Sequence, residues 1–166
     1  MANRGLAAAR KRGGMVDADG LIHQLYQTIR AISKDLNQRF ESQGIYSSEW
    51  SIISILKKRG PMSQASLAGY LNIEPPAISK TLLRLEEKNL IKREIGSSRR
   101  EKLVSLTEYA KDKYREMEKI IESHHHEILN GISADSLDNM YSTLIALFKN
   151  ACHSTEDMPE DREPYR

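Results

Sequence analysis

The residues with chemistry to offer cluster in the middle of the chain. Ser63, Gln64 and Ser66 form one polar group, and Pro76, Ala77, Ser79, Lys80, Thr81 and Arg84 form a second a few residues later. Small, hydroxyl-bearing and cationic side chains at this density suit a surface that approaches a polyanion. Small residues permit close contact, while hydroxyls, lysine and arginine reach phosphate oxygens or base edges. Another cationic pair, Arg99 and Arg100, sits in the run Gly96-Ser97-Ser98-Arg99-Arg100-Glu101. The charge distribution agrees. Residues 57–102 carry 11 basic and 5 acidic side chains, residues 1–56 carry 7 and 5, and residues 103–166 carry 7 and 13. A net charge of +2 therefore conceals a central segment at +6 and a C-terminal third at −6. A positive patch inside a nearly neutral chain is the footprint of an anion-binding, nucleic-acid-binding surface.

Two other clusters invite chemistry. His124-His125-His126 suggests a metal, but consecutive helical residues point about 100° apart and chelation needs residues one turn apart. Only one of the three can join His23, a glutamate or a residue of a second chain, and His124 falls on an apolar seam, where a hydrogen-bonded core histidine is the plainer role. No metal or cofactor is expected. Cys152-His153 reads as a weakly packed thiol at the end of a helix, and Glu86, Glu87 and Lys88 as a solvated helix end. Gly-rich phosphate loops, the His-Glu-x-x-His pattern and the Gly-x-Ser-x-Gly elbow are all absent from the sequence, so an enzyme is not expected.

At 166 residues, 39% of them hydrophobic and 29% charged, the chain has the length of one domain. Its mean hydropathy is −0.57 and no apolar run approaches the length of a membrane-crossing helix. The basic stretch before Met15 contains only Leu6 to Ala9 as an apolar run, too short for a signal-peptide core. A single cysteine excludes an intramolecular disulfide framework and fits a reducing compartment, so a cytoplasmic location is expected. Met15 serves equally well as a start, which leaves the origin of residues 1–14 open.

The elements that must position the polar clusters can be read from periodicity. Leu21, Leu25, Ile29, Ile32, Leu36 and Phe40 recur at helical steps, with Asp17 or Asp19 to cap the helix and Gly44 to end it. A second helix follows Ser47 or Ser48 and carries Trp50, Ile53 and Leu56 up to the Gly60-Pro61 break. Ser63 caps a short helix that Asn72 stops in the left-handed region. Pro75 and Pro76 open the next helix, in which Ile78, Leu82 and Leu85 form a buried stripe. Two β-prone runs, Leu90 to Ile95 and Lys102 to Leu106, flank the basic tip as a hairpin. Thr107 caps a helix with a seam of Ala110, Tyr114, Met117, Ile121, His124 and Ile128, and Ser133 caps the last, which carries Leu137, Met140, Tyr141, Leu144 and Phe148 on one face. The fold class is mainly α: a winged helix-turn-helix with a two-stranded β-hairpin wing and long N- and C-terminal dimerisation helices. The long helices are expected to bury their seams against a second copy. The corresponding segments are a basic arm (1–16), a dimerisation helix (17–46), the winged helix-turn-helix (47–106), two dimerisation helices (107–150) and an acidic tail (151–166).

Three stretches resemble the MarR (multiple-antibiotic-resistance regulator) family of transcription factors. They are Trp50 to Leu56, Gly60-Pro61-Met62-Ser63-Gln64-Ala65-Ser66-Leu67-Ala68, and Ile78 through Arg93. The segment Ser98-Arg99-Arg100-Glu101-Lys102-Leu103-Val104-Ser105-Leu106-Thr107 resembles the family's wing signature and is the most specific part. The resemblance spans residues 17–150. It implies a homodimeric regulator, most often a repressor, that presents two winged helices to a palindromic double-stranded DNA operator. Pro76, Ala77, Ser79, Lys80, Thr81 and Arg84 would face the major groove, Ser63, Gln64 and Ser66 the backbone, and Arg99 or Arg100 the minor groove. Relatives commonly bind small aromatic compounds between the dimer helices and the winged helix, which makes Ile22, Tyr26, Ile29, Trp50 and Ile53 candidate lining residues, each also a candidate for ordinary core. Others sense zinc, or sense oxidants through cysteines in positions that lack one here; both are alternatives, as is a winged helix that binds protein rather than DNA. Three residues depart from the family pattern. Ser98 stands where an Asp usually holds the wing arginine, Ala110 replaces a common Gly, and Tyr46 occupies the position of a Thr cap, with Ser47 able to substitute.

Overall fold

The computed structural model describes residues 17–95 and 102–152. The basic arm, the hairpin tip with Ser98, Arg99 and Arg100, and the tail from residue 153 lie outside the described residues.

Helix α1 (Ala18–Arg39) opens at Asp17, whose carboxylate accepts the Gly20 N–H at 2.6 Å. It gives way to a 3₁₀ turn (Glu41–Gln43) that Gly44 closes at φ 64°, in the region where glycine has no Cβ penalty. Helix α2 (Ser47–Arg59) is followed by the short strand β1 (Met62–Ser63) and helix α3 (Gln64–Leu71). Helix α4 (Pro75–Glu87) leads into strands β2 (Ile91–Ile95) and β3 (Lys102–Leu106). Two helices close the chain, α5 (Glu108–Ile128) behind the Thr107 cap and α6 (Ala134–Ala151) behind Ser133.

The sheet has three antiparallel strands in the order β1-β3-β2, with Met62 opposite Val104 and Arg93 opposite Val104 on the other side. The expected two-stranded hairpin thus gains a third strand, two residues long. Two residues are too few to show an alternating pattern, so nothing in the sequence marked it.

One core joins the middle of the chain. Ile78, Leu82 and Leu85 of α4 are fully buried, together with Leu67, Ile53, Phe40 and Ala110. Each large aliphatic side chain among them stabilises the fold by about 1.5–3 kcal/mol through removal from water. Ala110, where the resemblance implies a common Gly, is fully buried in this core.

Two expectations are corrected here. The α5 seam does not wait for a second chain: Ala110, Tyr114, Met117, Ile121 and His124 are buried within their own chain, and only Ile128, at the far end, is exposed. The α1 stripe divides in the same way, with Leu36 and Phe40 buried but Leu21, Ile22, Tyr26 and Ile29 exposed. Helix α6 buries no residue at all. The second correction is the start of α2. Tyr46, not Ser47 or Ser48, is the N-cap; the Glu49 carboxylate accepts its backbone N–H at 2.9 Å, and Asn37 Oδ1 accepts that of Ser47 at 2.7 Å. The family's Thr cap is replaced by a carboxylate folded back from the third position, half of a capping box.

An ion-pair network ties α1 to α5. Arg39 donates to both oxygens of Glu127 at 2.9 and 2.7 Å and to Asp35 at 2.8 Å, and Ser123 donates to Glu127 at 3.1 Å. These donors, Arg39 foremost and then Ser123, hold the Glu127 carboxyl at about 2, below its ordinary 4.5. A carboxyl whose folded value is depressed stabilises the fold above its ordinary value and loses that contribution as pH falls through the depressed one. Comparison of Glu127→Gln with the parent by thermal melting should therefore show a lower midpoint for the variant at pH 7. The gap should close between about pH 4.5 and 2. A gap that persists unchanged to pH 2 would assign the loss to packing instead.

Candidate nucleic-acid interface

The polar clusters are held by helix ends. Ser63 Oγ accepts the Ser66 N–H at 3.0 Å and is 2.8 Å from Ser66 Oγ, so both hydroxyls sit at the exposed start of α3. Gln64 beside them is half-buried. Asn72, at φ 53°, stops α3, and the Ile73 N–H returns to the Ala68 carbonyl at 3.0 Å. Only Asn72, Ile73 and Glu74 separate the two helices, which is the tight connection of a helix-turn-helix. Prolines at the first two positions of α4 sacrifice no intrahelical hydrogen bond, because those N–H groups have no partner in a helix.

The faces of α4 are divided three ways. Ile78, Leu82 and Leu85 enter the core. Arg84, Glu87 and Lys88 border an open groove of ≈ 930 Å³ whose far wall is Ile29, Arg30, Ser33 and Lys34 of α1. Pro76, Ala77, Ser79 and Lys80 are left exposed. Thr81 is half-buried and its hydroxyl donates to the Ala77 carbonyl at 3.0 Å, which leaves its methyl group and oxygen lone pairs for other contacts. The structure thus gathers Pro76, Ala77, Ser79 and Lys80 on one surface and sets Arg84 at its edge. Arg99 and Arg100 lie outside the described residues, but the base of their hairpin is fixed: Thr107 Oγ1 donates to the Asn89 carbonyl at 2.7 Å while it accepts the Ala110 N–H at 3.1 Å. One hydroxyl clamps the end of α4, the return of β3 and the start of α5.

The most consequential polar pair was not apparent in the sequence. Glu49 is fully buried, and Lys88 Nζ donates to both of its oxygens at 2.8 and 2.7 Å. Lys88 also stands over the Tyr46 ring, 5.3 Å from its centroid. Lys88 is therefore not part of a solvated helix end; it fastens the end of α4 to the start of α2. Glu86 is likewise engaged, 3.2 Å from Arg93 on β2. The one available signal was Glu49 three residues after the cap position, the spacing of a capping box.

The other candidates fall in different places. Trp50 and Ile53 are core residues, Trp50 stacked on Tyr114 at 5.2 Å and tilted against Phe40 at 5.8 Å. Ile22 and Tyr26 are exposed on α1, and of the five residues considered for a small ligand only Ile29 borders the groove. His124 is fully buried but not hydrogen-bonded: neither ring nitrogen has a hydrogen-bond partner among the described residues, and the one charged contact is Asp35 Oδ2, 3.4 Å from Nε2. Among the described residues no three histidine, cysteine or carboxylate side chains gather as metal ligands. Cys152 is half-buried just after α6. No helix among the described residues is long and apolar enough to cross a membrane.

The sequence pattern of the MarR family matches residues 45–102, from the start of α2 to the wing. The HTH-type transcriptional regulator YwoH of Bacillus subtilis (strain 168) is 45% identical over 97 residues, which cover 58% of this chain and 71% of that protein. The chain belongs to the MarR family. The fold of this MarR-family regulator is shared with the organohalide-sensing transcriptional regulator RdhR-CbdbA1625 in its ligand-free form. That structure superposes with a TM-score of 0.81 at 17% identity, over 92% of this chain and 93% of the other. Reduced AbfR bound to DNA superposes with a TM-score of 0.68 at 19% identity, over 81% of this chain and 93% of the other. The MarR-family chain is accordingly a winged-helix, DNA-binding transcriptional regulator, and its α3-turn-α4 unit is the helix-turn-helix of that fold.

Proposed function

We propose that two copies of this chain bind an inverted-repeat DNA operator and regulate transcription, as a repressor, until a small aromatic effector releases them. The observation that carries the reading is the exposed face of α4, polar and cationic, on a helix whose opposite face is locked in the core. In this reading Pro76, Ala77, Ser79, Lys80, Thr81 and Arg84 meet the major groove. Ser63, Gln64 and Ser66 meet the phosphate backbone, and Arg99 or Arg100 enters the minor groove, where negative potential favours arginine. The copies meet through the apolar residues that this chain leaves uncovered on α1 and α6, among them Ile22, Met140, Leu144 and Ile145. Contiguous apolar surface on a chain of this kind marks an interaction surface. The effector would occupy the groove between α1 and the end of α4, against Ile29, with Tyr26 and Ile22 one and two turns before it on α1, whereas Trp50 and Ile53 belong to the core.

Selection of the full chain on random-sequence DNA tests the reading. A two-fold protein should enrich two inverted half-sites about 10–10.5 base pairs apart, centre to centre, or a multiple of that. Leu144→Asp, which places a charge on the uncovered face of α6, should sediment as a monomer and lose the paired site. Enrichment of no sequence, or of a single unrepeated half-site by a monomer, would overturn the proposal.

A further inference from the structure

Helix α4 carries one side chain that neither its packing nor its charge explains. Leu83 is 51% exposed. Among the described residues it is the only large aliphatic side chain left exposed between Ile29 and Ile128; the other exposed aliphatics lie on α1, on α6, at the end of α5 and in the turn after it. An isolated exposed leucine is ordinary on a protein surface, so its position must carry the argument. Leu83 is i+7 from Pro76, i+4 from Ser79 and i+3 from Lys80, which puts it on the same face as those three residues. It is not on the core face of Ile78, Leu82 and Leu85, nor does it border the groove that Arg84, Glu87 and Lys88 line against α1. The neighbouring acids are also turned to other work: Glu86 pairs with Arg93, and Glu87 lines the groove. Leu83 is therefore an apolar group at the C-terminal end of the face that carries Pro76, Ser79 and Lys80, one turn beyond Lys80.

In the major groove the one apolar feature a base pair presents is the 5-methyl group of thymine. We infer that Leu83 is a specificity-determining residue that packs against a thymine methyl in each half-site, beside the polar contacts of Ser79 and Lys80. The inference rests on the reading of α4 as the helix that enters the major groove, and it adds a base that the polar residues do not select. A leucine in that place also rejects alternatives, because it offers no hydrogen bond to the exposed amino group that cytosine would present there.

The test uses the sequence enriched by the full chain from random DNA. Each thymine is replaced in turn by deoxyuridine, which keeps the base-pairing edge and removes only the methyl group. One position per half-site is expected to weaken binding by about fourfold on methyl removal, the gain from burying a single methyl-sized group. Leu83→Ala, whose fold is unaffected because the side chain is outside the core, should bind the thymine and deoxyuridine sites equally. Leu83→Asn should enrich a different base at that position. If the parent protein enriches a defined site but no thymine methyl matters, or if Leu83→Ala keeps the full methyl penalty, the assignment of Leu83 is wrong while the DNA reading stands. If the parent enriches no site, both fall.

Discussion

Lys88→Met is expected to lower the stability of the folded chain by about 3 kcal/mol or more, within the range of about 3–5 kcal/mol for removal of one partner from a buried ion pair. The carboxylate of Glu49 is 0% exposed, and two of its three short hydrogen bonds come from Lys88 Nζ, at 2.8 and 2.7 Å. Without the lysine it retains the Tyr46 N–H at 2.9 Å, which is too little to hold a charge out of water. Methionine keeps most of the aliphatic stem, so lost packing contributes little. The lower end of the range is the better expectation, because the Lys88 side chain is itself 30% exposed and water softens the change. Urea unfolding measures the effect directly. The double variant Glu49→Gln with Lys88→Met should recover a large part of the loss, since it removes the charge as well as its partner. A single-variant loss below about 1 kcal/mol would mean that the pair is solvated and that α2 and α4 are joined by the core alone. Lys88 itself lines the groove between α1 and α4, so the effector proposed there would meet the lysine that fixes the end of α4.

The local features of the fold were legible because they depend on residues close in sequence. Ser63, Thr107 and Ser133 each cap the helix expected of them, and Asp17 rather than Asp19 caps the first, each with the side chain accepting the N–H three residues on. Asn72 takes its left-handed turn, and Ile78, Leu82 and Leu85 occupy the core together. The far side of an apolar face is a different matter. Periodicity shows that Tyr114, Met117 and Ile121 share a stripe, but the same stripe can pack on its own chain or on another, and only the contacts distinguish these. In α5 the answer is its own chain up to His124; in α6 the face stays uncovered. Lys88 and Glu49 are 39 residues apart, and their encounter depends on how α2 and α4 cross, which no local pattern encodes. Leu83 escaped for another reason. Beside Leu82 in sequence it resembles one more core residue, and only the register of the helix turns it outward.

Salt dependence tests the central claim, that a cationic surface of this chain binds DNA through its phosphates. The segment from 57 to 102 carries a net +6, with Lys80 exposed on α4, Arg84 half-buried one turn on, and Arg99 and Arg100 in the sequence between β2 and β3. A protein that neutralises phosphates displaces condensed counterions, so the logarithm of its affinity falls linearly with the logarithm of salt, by about 0.9 per phosphate on duplex DNA. For roughly six to ten phosphates in a dimer complex, a rise from about 50 to about 200 mM salt should weaken binding by about 10³- to 10⁵-fold. Arg84→Ala and Arg100→Ala should each weaken binding and flatten the slope by about one for each phosphate contact removed, without a change in oligomeric state. The measurement is the affinity of the full chain for its selected operator, titrated across that salt range. A steep line that flattens in the arginine variants is the predicted result, and a flat response in the parent protein would contradict the account.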